Sequence, residues 1–170
     1  GQYDDLDGAA MRMLADGEID ALHTARTPST FYSEPGKVRR LFPDFVPLEQ
    51  DYYRRTGIFP IMHVIAIRRD VYEKNRWVAR SLQTAFEAAQ AKVYEELLVT
   101  ASLKTMLPWQ IAAVEQAVSL LGRDWWPYGF GPNRAVIDTF LRYHHEQGLS
   151  SRRLQPEELF AEECFEAFKI

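Results

Sequence analysis

Phe59-Pro60-Ile61-Met62-His63-Val64-Ile65-Ala66-Ile67-Arg68-Arg69 is the stretch whose reading decides the fold class. Between Ile61 and Ile67 only His63 is polar. An apolar run that does not alternate predicts a strand buried on both faces. Such strands lie between helical layers. An ionisable ring inside one needs a hydrogen-bond partner or a place at the end that opens on a cleft.

Working back from this run, Leu48 to Thr56 predicts a short helix stopped by Gly57, with Glu49, Tyr52 and Tyr53 just ahead of the strand. Further upstream, Leu6, Ala10, Met13 and Leu14 fall on one face of a helix that Asp16-Gly17 ends. Glu18 to Ala25 then predicts a second, shorter strand. Helix, glycine and strand form an αβ unit, so the fold class is α/β and helix-dominated. The loop Arg26 to Gly36 leaves the carboxyl end of that strand, where open α/β sheets bind ligands. It carries Arg26, Phe31 and Tyr32. It reads either as a solvated connection or as a ligand-contacting segment. Val38 to Phe42 predicts one helical turn. Phe42 to Pro47 predicts an extended or turning piece, because residues before proline avoid the helical region.

Forward from the run, Asp70 is suited to cap a helix over Val71 to Asn75. Trp77 to Thr100 is the clearest helix, with Val78, Leu82, Ala85, Phe86, Ala89, Val93, Leu97 and Leu98 as its apolar stripe. Pro108 to Leu121 is a second, ended by Gly122. Asp124-Trp125-Trp126-Pro127-Tyr128-Gly129-Phe130-Gly131-Pro132 is an aromatic loop. Asn133 is expected to cap a third helix through Gln147, with Gly148 as stop. A last helix is expected over Pro156 to Glu163, followed by Glu166 in an acidic setting around Cys164 and Phe165. Two strands do not make a sheet of ordinary size. Strands from a missing N-terminal part, or from another chain, are expected to complete it.

The chain has 170 residues and a net charge of −4, with basic and acidic residues interspersed. That argues against nucleic acid or an anionic membrane surface as partner. No apolar run reaches the roughly 20 residues that span a bilayer, and no signal peptide is visible. The first residue is Gly1, not Met, and an upstream segment is expected. Cys164 is the single cysteine, so neither an intrachain disulfide nor a cysteine-built zinc site can form.

Familiar catalytic signatures are missing. His144 and His145 are adjacent on a helix and point about 100° apart, so no metal site is expected from them. There is no nucleophile elbow, phosphate loop or dinucleotide fingerprint. Gly129-Phe130-Gly131 is a poor phosphate loop because Pro132 lacks an amide donor. Acidic neighbours disfavour Cys164 as a nucleophile. What remains is Arg26, Glu49, Tyr52, Tyr53 and His63. Arg26 suits a carboxylate or a surface ion pair. His63 suits general-acid work or a hydrogen-bonded place in the core. Tyr52 and Tyr53 suit packing or binding, and His23 repeats the His63 case more weakly.

Several motifs resemble the 4,5-dihydroxyphthalate decarboxylase family. These are Arg26-x-Pro28, Arg40-Leu41-Phe42-Pro43, Tyr52 through His63, Pro127-Tyr128-Gly129 and Pro132-Asn133-Arg134. Leu14 to Leu22 is similar to an element of type II periplasmic-binding-protein folds, in which a helix leads to a strand at the cleft mouth. The resemblance implies the C-terminal part of such a two-lobed fold. Residues 1–58 would be the lobe-crossover segment with its ligand-facing loops, and residues 59–170 the returning strand and the C-terminal helices. The missing N-terminal lobe of the same protein would be a partner, and a homo-oligomer is compatible with it. The implied activity is a carboxy-lyase acting on a catechol-type aromatic carboxylate, cytoplasmic and without cofactor or metal. His63 would be the catalytic acid, with Arg26, Tyr32, Tyr52 and Tyr53 binding substrate. The alternative is the solute-binding component of an ABC-type transporter for a small anionic or aromatic ligand, which would be periplasmic. Fold alone does not decide between them.

Overall fold

Helix endings in this chain are set largely by glycine. Gly17, Gly57, Gly122 and Gly148 all have positive φ, a region open to glycine at little steric cost. The computed structural model describes residues 2–165, with side chains from Gly8 onward. The expectations placed on the Leu6 side chain and on Glu166 lie outside the residues so described. The helices are Gln2–Asp16 (α1), Ser29–Ser33 (α2), Phe45–Thr56 (α3), Arg69–Lys74 (α4), Trp77–Leu98 (α5), Gln110–Leu121 (α6) and Phe130–Glu146 (α7). Two 3-10 turns follow, Pro156–Glu158 and Glu162–Cys164. The chain divides into two units, residues 1–49 and 50–170.

In the first unit α1 ends as expected. The Gly17 amide donates to the Leu14 carbonyl (3.2 Å) and that of Glu18 to the Met13 carbonyl (2.8 Å). The strand expected over Glu18 to Ala25 does not form; the segment is bends and irregular backbone. The only bridge among the described residues is an isolated one, Pro35 to Val38. Val38 and Thr30 are buried there. No helical turn forms over Val38 to Phe42, because Pro43 pushes the preceding residue out of the helical region. The helix begins instead at Phe45, with Pro47 in its first turn, where a missing amide costs nothing. Arg40 lies over the rings of Phe31 (5.7 Å) and Phe45 (4.9 Å).

In the second unit the buried cluster is Phe130, Ile137 and Leu141 on α7, joined by Leu154, Phe160 and Phe165. Phe130 meets Phe165 at 4.5 Å and Phe160 at 5.7 Å between ring centroids. The segment after α7 is tied back by Arg134 to Glu157 (2.7 Å), Arg153 to Asp138 (2.7 Å) and the fully buried Pro156. At its far end Arg76 reaches Glu162 and Glu163, both at 3.0 Å, and the Tyr72 hydroxyl donates to Glu163 (2.6 Å). This bridges the start of α5 to the last turn. The expected helix over Pro156 to Glu163 is thus two 3-10 turns, held by side-chain ion pairs.

Several expected boundaries move. Asp70 does not cap α4. It sits in the first turn, where the Arg68 guanidinium donates to it (2.8 Å). Helix α6 starts at Gln110, after Trp109 turns through φ +59°. Helix α7 starts at Phe130, so Asn133 lies inside it and is no cap. Its amide donates backwards to the carbonyls of Pro127 (2.8 Å) and Gly129 (2.9 Å).

The largest correction concerns residues 59–67. They run without helix or strand, and no backbone hydrogen bond among the described residues involves them. Burial on both faces was expected. Met62, Val64 and Ile65 are instead 59–64% exposed. The physical reason is the ladder: a strand is stable only when its amides and carbonyls meet a neighbouring strand, and none of the described residues supplies one. The stripe on α5 is likewise only partly covered, with Phe86 and Val93 exposed.

Candidate functional site

The extended run and the helices of the second unit enclose a groove of about 700 Å³. One wall is the run itself, which contributes Phe59 to Ile65 and Ile67. The floor is Ala79, Leu82, Gln83 and Phe86 from α5 with Val136 and Ile137 from α7. The far wall is the aromatic loop, Asp124 to Phe130. Flat apolar walls with few polar groups are the usual lining of a site for an aromatic ligand.

The loop is built by proline, glycine and side-chain bonds together. The Tyr94 hydroxyl accepts from the Trp126 amide (2.9 Å) and lies 3.2 Å from the Asp124 carboxylate, to which it donates. The Trp125 ring lies against Tyr94 at 4.3 Å. Burial pushes the Tyr94 phenol up to about 12, helped by Asp124 and opposed by the Trp126 amide. Gly129 then turns with φ +88°, bringing the backbone against Gln83. Trp126 projects to the groove and meets Phe59 at 5.4 Å.

Polar atoms in the groove are sparse. His63 lies on the extended run and is exposed, while Tyr53 is half-buried at the end of α3. The Gln83 amide donates to Glu87 (2.6 Å), which turns its Oε1 into a buried position with no partner among the described residues. Asn133 is held by its two backbone acceptors. Cys164 also lines the groove. Its thiol is pushed up first by burial and further by Glu163 and Glu87, against the pull of Arg80. Sequence reasoning expected a raised thiol from acidic neighbours alone; burial is the larger cause.

Of the residues singled out in the sequence, the groove brings together His63 and Tyr53. Tyr52, on the same helix, does not line it; the Arg55 guanidinium lies 6.0 Å from its ring. Arg26 and Tyr32 belong to the first unit. Both are exposed, Tyr32 against Phe31 at 5.3 Å and Arg26 with its amide bonded to Thr24 (3.2 Å). His145 contacts the Ser150 carbonyl (3.2 Å) and His144 packs on Phe140. No group of three or more metal-ligating side chains occurs among the described residues. No helix of the described residues is long and apolar enough to cross a membrane.

The groove also takes in the aromatic loop and Gln83, which the sequence did not mark as site residues. The signal was present as the Trp125-Trp126-Pro127-Tyr128 cluster and as polar residues breaking the α5 pattern.

The chain is similar to the 4,5-dihydroxyphthalate decarboxylase of Comamonas testosteroni, with 41% identity over 158 residues. The match covers 93% of this chain and 48% of that protein, so the chain spans about half the length of the curated relative it matches. No family model matches the chain. The relationship bears out the resemblance read from the motifs around Tyr52 to His63 and Pro127 to Arg134.

Proposed function

We propose that this chain forms part of a carboxy-lyase that removes carbon dioxide from a catechol-type aromatic carboxylate such as 4,5-dihydroxyphthalate. The observation that carries the reading is the 41% identity to the Comamonas testosteroni decarboxylase over 158 residues. The groove supports it, because its walls suit a flat ring.

The chemistry asks little of the protein. A ring hydroxyl para to the leaving carboxylate donates electron density to the ipso carbon. A general acid transfers a proton to that carbon. The bond to the carboxylate then breaks, carbon dioxide leaves, and its electron pair restores the aromatic ring. The ring itself acts as the electron sink. Among the described groove-lining residues His63 is the one side chain that can both carry positive charge and donate a proton. We assign it the proton transfer. Tyr53 is assigned to a ring hydroxyl. The retained carboxylate needs a cation, and no Lys or Arg lines the groove among the described residues. Arg26, Tyr32 and Tyr52 are proposed as substrate contacts on residue type alone, not as part of this groove.

The unpaired run at residues 59–67 fits a two-lobed binding-protein fold. In that reading it is a strand whose ladder partners come from the half of the protein that this chain does not span. The β-branched Val64, Ile65 and Ile67 favour it.

The test is carbon dioxide release from 4,5-dihydroxyphthalate by the full-length protein, wild type and His63→Asn. Substrate binding retained with turnover lowered by about 10²–10⁴-fold is the expected outcome for loss of a general acid. Unchanged turnover in His63→Asn would remove the acid assignment. No release by the wild type would remove the decarboxylase reading.

A further inference from the structure

Helix α5 carries a second pattern besides its apolar stripe. Gln83, Glu87, Gln90 and Tyr94 recur at spacings of four, three and four residues, which places them along one face. Three of the four engage the aromatic loop. Gln83 abuts Gly129, so closely that a Cβ there would lie 2.9 Å from its Nε2. Gln90 donates from Nε2 to the Trp126 carbonyl, and Tyr94 receives the Trp126 amide at 2.9 Å. Both backbone groups of Trp126 are therefore held by side chains of α5. Glu87, the fourth, orients Gln83 (2.6 Å).

We propose that this row positions the aromatic wall of the groove, and that Tyr94 and Gln90 are positioning residues for an aromatic carboxylate bound there. The proposal rests on the reading of the groove as the substrate site. Neither Tyr94 nor Gln90 lines the groove, so their influence passes through Trp126. Tyr94 is well suited to the task. Its oxygen accepts from the Trp126 amide and from Gln90 Nε2 (3.2 Å) and donates to Asp124 (3.2 Å). With Trp125 against the Tyr94 ring, the chain turns so that Trp126 meets Phe59 across the groove. A loop is ordinarily the mobile part of a site. Fixing both the amide and the carbonyl of one residue removes that freedom and keeps the wall pre-organised for a planar ligand.

The experiment compares full-length wild type with Tyr94→Phe and Gln90→Leu, using steady-state kinetics on 4,5-dihydroxyphthalate and amide exchange at Trp126. Tyr94→Phe preserves the ring against Trp125 and removes the hydroxyl. The expected result is a KM about tenfold higher, the scale of one or two lost net hydrogen bonds. The turnover number should stay within about twofold, and the Trp126 amide should exchange faster while that of Leu141 stays unchanged. Gln90→Leu should shift the same readouts in the same direction. An unchanged KM, or unchanged exchange at Trp126, would overturn the proposal. So would a general loss of protection that includes Leu141, which signals a merely structural role. If wild type shows no turnover, the decarboxylase reading fails. The wall is then judged by exchange and by calorimetric binding of phthalate, a flat dicarboxylate. Equal phthalate affinity in wild type and Tyr94→Phe overturns it; weaker affinity in the variant supports it.

Discussion

The rings of Phe59 and Trp126 meet edge to face, with centroids 5.4 Å apart and planes at 61°. Phe59 opens the extended run and Trp126 is the third residue of the aromatic loop. Both rings line the groove, and the pair ties the run to the aromatic loop. Aromatic pairs of this geometry contribute about 0.5–1.5 kcal/mol beyond area burial. Phe59→Ala in the full-length protein is therefore expected to weaken binding of an aromatic carboxylate several-fold, with the melting temperature lowered by a few degrees. Calorimetric titration with phthalate checks it. Affinity equal to wild type would show that the pair is packing alone.

Gly129 offers a second test. It combines φ +88° with ψ 165°, a region that is essentially restricted to glycine. An added Cβ would also fall 2.9 Å from Gln83 Nε2. Gly129→Ala is expected to cost about 1–3 kcal/mol from backbone strain, and to disturb the groove by displacing Gln83. Denaturant unfolding measures the first effect, and the Trp emission spectrum the second. A variant as stable as wild type would mean that the loop adopts another conformation.

How far the sequence disclosed this arrangement depended on whether a signal was local. The ends of α1, α3, α6 and α7 were legible because glycine stops a helix by its own conformational freedom, whatever surrounds it. Helix α5 was legible because its stripe repeats over six turns. The extended run was misjudged. Its composition predicts burial, but burial needs a neighbouring strand, and composition does not say where that neighbour is. The capping roles given to Asp70 and Asn133 failed for a related reason. Each has the right side chain, yet Arg68 claims the first and two backbone carbonyls claim the second. Of the groove-lining residues, His63 and Tyr53 were singled out in the sequence because they belong to the Tyr52 to His63 motif. Gln83 was not, because its position depends on Gly129 folding against it.

The ion pair between Arg152 and Glu158 sets an acid limit on the segment after α7. Arg152 holds the carboxylate through two bonds of 3.0 and 2.6 Å, and the Gln155 amide adds a third at 2.7 Å. These contacts bring the Glu158 carboxyl down to about 2. Because the folded value lies below the unfolded one near 4.5, the stabilisation is present above pH 4.5. It is lost as pH falls from there toward 2. Glu158→Gln should therefore narrow its stability difference from wild type as pH is lowered through that window. Thermal unfolding at pH 7, 4.5 and 3 reads this directly. A difference that does not change with pH would assign the effect to packing.

The extended run yields the most discriminating measurement. Among the described residues, the amides of residues 61 to 67 have no backbone acceptor. In a chain of residues 1–170 by itself they should exchange at close to the free-peptide rate. If the run is a strand completed by the other half of the full-length protein, the same amides gain ladder partners. Their exchange should then slow by several orders of magnitude, since core strands open only with free energies near that of global unfolding. The apolar side chains of Met62, Val64 and Ile65 would be covered at the same time. Val64→Pro sharpens the comparison, because proline removes one donor and is excluded from interior strands. It should leave the 1–170 chain unaffected and destabilise the full-length protein by about 1–3 kcal/mol, the cost of a buried backbone group left without its partner. Equal exchange in the two lengths of chain would show that residues 59–67 remain an uncovered connection, and the two-lobed reading would lose its strand.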